Sequence, residues 1–441
     1  MMGIISHWVV FAIAFFFSIS VQAHPHSPRT LQAASKNIIT PHVLELTAIN
    51  GIVPPSTSHL RRLLLNKRQT QTPVADLDLT TIGGRVYFTT IQISGNTYTV
   101  VIDTGSSDTW LVKDDFQCFD VGTNVPISEE ECAFGSPYVP SDAFRDIPNE
   151  TFNISYADGE AASGGFGTET LTAGGLTFTQ AIGVVDTAAW FGDGQSSGLV
   201  GLALAHPNFR WNGTSPRQST DQYTPFFTSL CNTTSIPPIF SLTLHRPTAP
   251  NYTGGGLLAL GGIPPNLSLT SAFAASPIQL ISPNPRLRAP TSPTYQFYAT
   301  TIDGLDIAPS SLPPNLPPPF PAYNTTLQVI IDSGTTLIYM PNQIASYYNS
   351  LWVPPARWSD ADGLWRVSCS AKIPVFEVLV GGGRFAVDRR DLVMGAGDGG
   401  CMSAVQGSDE GLAVLGDPFL KGVVVVFDVG KGEVRIAGVE Y

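Results

Sequence analysis

The chain has 441 residues, 43% of them hydrophobic and 13% charged, with a net charge of −12. That length can hold two lobes with real cores, and the acid excess excludes a basic surface for nucleic acid. Of its seven histidines, only His206 and His245 lie beyond residue 60, without ligand spacing, so neither a metal site nor a His-based triad is expected.

Residues 1–23 read as a signal peptide. The apolar centre from Trp8 to Phe17 is too short to span a bilayer, and Val21-Gln22-Ala23 offers a small-residue cleavage site. Residues 24–68 form a basic pro-segment with six Lys or Arg against one acid, Glu45; from Gln69 onward 17 bases face 34 acids. Such a leader can dock electrostatically on an acidic body and let go as carboxylates protonate. Lys67-Arg68 is the expected maturation site. The mature protein is therefore expected to be secreted, with the vacuole as the alternative compartment. It should be monomeric, and free of the membrane once the signal is removed.

After Gln69 the first ordered stretch is expected at Val86 to Ile93, turning through Ser94-Gly95-Asn96 into Thr97 to Ile102 as a hairpin. Val100-Val101-Ile102 then runs into Asp103-Thr104-Gly105-Ser106-Ser107. An acid at the end of a strand buried on both faces is costly unless it is hydrogen-bonded or shares a proton. The chain supplies one matching partner, Val329-Ile330-Ile331-Asp332-Ser333-Gly334-Thr335-Thr336.

Short β-branched runs punctuated by Gly, Pro and Asn fill the rest, with helical periodicity confined to stretches such as Pro225 to Leu230 and Asn342 to Leu351. Thr151 to Ser155 reads as a strand entering a tight hairpin at Tyr156-Ala157-Asp158-Gly159. Ser197-Gly198-Leu199-Val200-Gly201 and Ala413-Val414-Leu415-Gly416-Asp417 place Gly where another backbone can pass close by. Each half thus repeats a buried strand, an Asp-[Thr/Ser]-Gly turn and an apolar strand ending in Gly. Asp186, which has a strand before it but no Gly after it, serves as an internal control and reads as an ordinary loop acid. Ile307 to Pro321 and Ser282 to Pro293 are expected to be extended surface segments.

Cys118 with Cys132, and Cys369 with Cys401, are each spaced to close a local loop, though four cysteines permit three connectivities. Cys231 is expected to be a buried thiol. Sequons at Asn149, Asn153, Asn212, Asn232, Asn251, Asn266 and Asn324 suit a secreted glycoprotein.

Together the two Asp turns, Tyr156 and the two Gly strands resemble the pepsin-like aspartic peptidases from about Val86 to Tyr441. The resemblance implies an all-β, bilobal fold of two duplicated β-barrel-like lobes, 69–268 and 269–441, with a cleft between them and a few short helices. It implies Asp103 and Asp332 as the catalytic pair, one ionised and one protonated. Gly105 and Gly334 would bring backbone N–H groups to the carboxylates, and Ser106 and Thr335 would bond their outer oxygens. Thr104 and Ser333 would cross-link the loops beneath. Tyr156, with Asp158 and Gly159, would form the substrate-binding flap, supported by Trp110.

The implied activity is acid endopeptidase action on protein or peptide substrates, with apolar residues preferred around the cut and no cofactor. A catalytically silent relative that binds proteins is the alternative, but it would be expected to have lost an Asp or its hydroxyl neighbour. A two-carboxylate glycoside hydrolase is a further one, but it would not be expected to place its acids in duplicated Asp-[Thr/Ser]-Gly turns.

Overall fold

Hairpins are the building unit. In this computed structural model, residues 38–50, 85–156, 159–204, 210–212, 223–246, 254–279, 297–310, 326–361, 363–396, 399–408 and 413–440 are described. The strand Arg85–Ile93 turns into Asn96–Asp103, pairing Phe88 with Val101 and Ile93 with Asn96. Ser94 and Gly95 make the turn at φ 46° and 88°, a backbone that Gly adopts without steric penalty. Val100 and Ile102 are buried, which carries Asp103 into the interior at the strand's end.

The expected pair of barrel-like lobes is corrected. Fifteen strands join one sheet that is not a closed barrel; its path runs from Arg210–Asn212 at one end to Ala274–Pro277 at the other. Ile239–Leu244 pairs with Val423–Asp428, so strands on either side of residue 268 are ladder neighbours. Both strands are buried at every position. Apolar strands of that kind must be covered on both faces and paired along both edges, and a shared central sheet satisfies this. Phe240 stacks on Phe427 there at 4.5 Å.

The all-β class is corrected as well: the fold is mostly β with helices. Phe226–Thr233 and Asn342–Ser350 each follow a Pro and bury one face, Phe226, Phe227 and Leu230 in the first, Ile344, Ala345 and Tyr348 in the second.

A five-stranded sheet carries the second acid, in the order Ala299–Ile302, Leu327–Ile331, Ala413–Leu415, Ile338–Pro341, Val405–Ser408. Smaller three- and four-stranded sheets complete the described β structure.

The basic leader also holds an ordered strand: Val43–Asn50 pairs on one side with Arg85–Ile93 and on the other with Gly254–Leu260, burying Leu46 and Ala48. Two further readings change. Asp186 lies within the strand Leu176–Ala189 rather than in a loop, 4.0 Å from Lys113. Ile307 closes no surface loop; it is buried in the strand Gly304–Ala308, paired with Val375–Val380. The signal segment, Lys67-Arg68, Asp158, Ser282 to Pro293 and residues 311–321 lie outside the described residues.

Candidate active site

Both acids are set by the same local topology. Gly198–Gly201 runs parallel to the Asp103 strand, pairing Asp103 with Gly201, and antiparallel to the next strand, Thr109–Phe119. Ala413–Leu415 runs parallel to Leu327–Ile331 and antiparallel to Ile338–Pro341 in the same way. The Gly after each apolar pair is required by close approach. A Cβ on Gly201 would lie 2.6 Å from the Ser106 carbonyl oxygen, and one on Gly416 would strike the carbonyls of Thr335 and Leu337.

Asp103 and Asp332, far apart in sequence, are fully buried and lie against each other's loops. A Cβ on Gly105 would run into the Asp332 carboxyl, and one on Gly334 would come within 2.5 Å of Asp103 Oδ1. Each carboxylate is held in the same manner. Gly105 N–H donates to Asp103 Oδ1 at 2.6 Å and Gly334 N–H to Asp332 Oδ1 at 2.8 Å. The Ser106 hydroxyl donates to Asp103 Oδ2 and the Thr335 hydroxyl to Asp332 Oδ2. Thr104 and Ser333 link the two loops through backbone and hydroxyl bonds in both directions.

Burial pushes both carboxyls above the usual range. The Asp103 charge raises Asp332 further, while the hydroxyl and N–H donors pull each back toward ionisation. Two acids in this relation titrate as a unit, and the second proton is much harder to remove than the first. The arrangement can hold one proton between two carboxyls beside a polarisable bond.

Tyr156 and Trp110 form a second group. Both are buried, and Trp110 Nε1 donates to the Tyr156 hydroxyl at 2.9 Å. The Tyr156 hairpin is closed by Gly159, at φ 98°, whose N–H donates to the Tyr156 carbonyl at 3.1 Å. Disulfides join Cys118 to Cys132 and Cys369 to Cys401. Cys231 is half-buried, and burial pushes its thiol up to about 11, which leaves it a poor nucleophile.

Sequence reasoning missed Trp190 and Phe134. The Trp190 ring meets Trp110 edge-on at 5.0 Å and Tyr156 at 5.5 Å, and stacks on Phe134 at 5.9 Å. Four separate segments supply this cluster, so no local pattern marks it; a Trp just after a strand was the available signal. Asp108, buried beside the Asp103 turn, was also passed over.

The profile of the eukaryotic aspartyl protease family matches residues 86–439. The chain belongs to that family. It is 38% identical, over 90% of its length and 87% of the other's, to a probable aspartic-type endopeptidase of Aspergillus fumigatus. An aspartic protease of Phaffia rhodozyma is 28% identical over 79% of this chain and 75% of its own. The crystal structure of an aspartic proteinase from Irpex lacteus shares the fold, with a TM-score of 0.59 at 21% identity over 81% of this chain and 95% of that one. The aspartyl protease described here is thus a hydrolase of the aspartic endopeptidase type.

Proposed function

We propose that Asp103 and Asp332 are the catalytic pair of this endopeptidase. The ionised member takes a proton from the attacking water while the protonated member polarises the scissile carbonyl. The observation that carries this is their mutual burial: each carboxyl lies against the other's Gly loop, and Asp103 raises the proton affinity of Asp332. Gly105, Gly334, Ser106 and Thr335 keep the pair ionisable, and the Thr104–Ser333 cross-link fixes its geometry. Tyr156 closes over bound peptide with the flap, its ring held by Trp110. Apolar residues on both sides of the cut are the preferred substrate.

The same reading makes residues 1–23 a signal, 24–68 a pro-segment removed at Lys67-Arg68, and 69–268 and 269–441 the two parts that each donate one acid. The product is a secreted, monomeric glycoprotein made as a zymogen; the basic charge of the leader against an acidic body supports the zymogen, and the sequons support the glycoprotein. Digestion of an unfolded protein substrate at about pH 3–5, with and without pepstatin, tests the reading. Pepstatin-sensitive cleavage is expected; complete absence of cleavage in that range contradicts it.

A further inference from the structure

Glu160 ends the turn that begins at Tyr156 and is 3% exposed. One of its bonds closes the turn and another ties it to a distant segment. Its carbonyl accepts the Tyr156 N–H at 2.8 Å, and its Oε1 accepts the Phe191 N–H at 2.7 Å. Phe191 follows Trp190, whose ring lies edge-on to Tyr156 at 72° and to Trp110 at 82°. The contacts therefore close a circuit: Glu160 carboxyl, Phe191 backbone, Trp190 ring, Tyr156 ring, Tyr156 backbone, Glu160 carbonyl.

The far side of Trp190 is backed by the Cys118–Cys132 loop. Phe134, two residues past Cys132, stacks on it at 18°. The two loops are laced together by backbone bonds from Gly194 to Ala133 at 2.6 Å and from Gly135 to Ser196 at 2.7 Å. Asp193 Oδ1 accepts the N–H groups of Gln195 and Ser196, which stiffens the connecting turn. Gly192 is also obligatory here, since a Cβ would collide with the Cys132 and Ala133 carbonyls.

We propose that Glu160 is a positioning residue for peptide hydrolysis: by holding the Phe191 N–H it fixes Trp190, and Trp190 sets the ring of Tyr156 over the substrate. The proposal rests on the reading of Tyr156 as the flap aromatic. Its physical basis is that the carboxyl of a buried side chain accepts the Phe191 N–H. When that acceptor is lost, the Trp190 segment is free to shift by fractions of an ångström, which catalysis registers strongly.

The test compares Glu160→Ala and Glu160→Gln with wild type in the processed full-length protein, reading kcat and KM on a fluorogenic peptide at acid pH and the near-ultraviolet circular dichroism of the Trp110–Trp190 pair. Glu160→Ala is expected to lose about tenfold in kcat/KM and to change the aromatic signal. Glu160→Gln, which keeps the acceptor, should restore both to near wild type. Wild-type kcat and KM in Glu160→Ala overturn the proposal, as does a Gln variant as impaired as the Ala one. Should Glu160→Ala fail to fold, Trp190→Phe must lower kcat/KM in its place, and unchanged kinetics overturn the proposal. If wild type shows no pepstatin-sensitive cleavage, the two-aspartate reading fails by itself; an unchanged aromatic signal in Glu160→Ala then separately refutes the Glu160–Trp190 linkage.

Discussion

Thr104 and Ser333 bond each other twice: Ser333 Oγ accepts the Thr104 N–H at 3.1 Å, and Thr104 Oγ1 accepts the Ser333 N–H at 2.9 Å. Each hydroxyl then donates to the strand that feeds the opposite acid, Thr104 to the Ile331 carbonyl and Ser333 to the Ile102 carbonyl. The spacing of the two carboxyls is thereby set by buried bonds between the loops.

Thr104→Val tests that linkage. Valine fills the same volume but removes an acceptor from the Ser333 N–H and a donor from the Ile331 carbonyl. Leaving buried groups unpaired costs about 1–3 kcal/mol each. Urea unfolding at pH 4 should show a loss of about 3 kcal/mol, with kcat falling more than KM rises. A loss near zero with unchanged kcat means that the cross-link is not what holds the pair.

Asp108 should limit stability toward neutral pH. It is buried, and burial pushes its carboxyl from 3.8 to about 7 against one Ser107 hydroxyl bond; burial and the Asp108 charge in turn push the nearby Tyr223 hydroxyl up, so that it stays neutral. The folded state therefore holds this proton more tightly than the unfolded state does. The stabilisation is complete below about pH 4 and is lost as pH rises through about 7, by about 4 kcal/mol in all. Melting temperature against pH should fall across that window in wild type and flatten in Asp108→Asn. Parallel curves for the two proteins refute the assignment.

Glu169 works in the opposite direction. Burial opposes its charge, but the hydroxyls of Ser94, Tyr138 and Ser141 and the Thr170 N–H outweigh that and hold its carboxyl below the ordinary 4.5. Its stabilisation is present above the unfolded value and is lost as pH falls through the folded one. Glu169→Gln should be destabilised most at pH 5–6, with the gap to wild type narrowing toward pH 3. A gap that widens in acid contradicts this.

What was legible in the sequence was local. The two Asp turns and the Gly strands announced themselves because each is a contiguous run whose backbone geometry demands those residues, as the close approaches at Gly201 and Gly416 demonstrate. The helices at Phe226 and Asn342 follow from spacing on one face. What escaped was non-local. Short apolar and β-branched runs mark Ile239–Leu244 and Val423–Asp428 as strands but cannot say that they pair with each other, and that pairing is why one open sheet replaced two barrels. Val43–Asn50 was hidden by the basic composition around it, although its own residues are apolar at Leu46 and Ala48. Trp190 and Phe134 become meaningful only once the disulfide loop is folded near the Tyr156 hairpin.

The leader strand carries its own prediction. Val43–Asn50 fills a place between Arg85–Ile93 and Gly254–Leu260, and Thr40 Oγ1 donates to the Leu260 carbonyl beside it. A chain lacking residues 24–68 should yield little folded enzyme, and the leader supplied as a separate peptide should raise that yield. N-terminal sequencing of processed enzyme should begin near Gln69. Equal folding yields without the leader contradict its place in the sheet as a folding element.

The central claim is that one proton shared by two buried carboxyls performs the hydrolysis. Turnover of a defined peptide at acid pH by Asp103→Asn and by Asp332→Asn, each checked for a cooperative melt, tests it most directly. Both variants are expected to stay folded and to lose at least about a thousandfold in kcat. Wild-type turnover in either one would contradict the account.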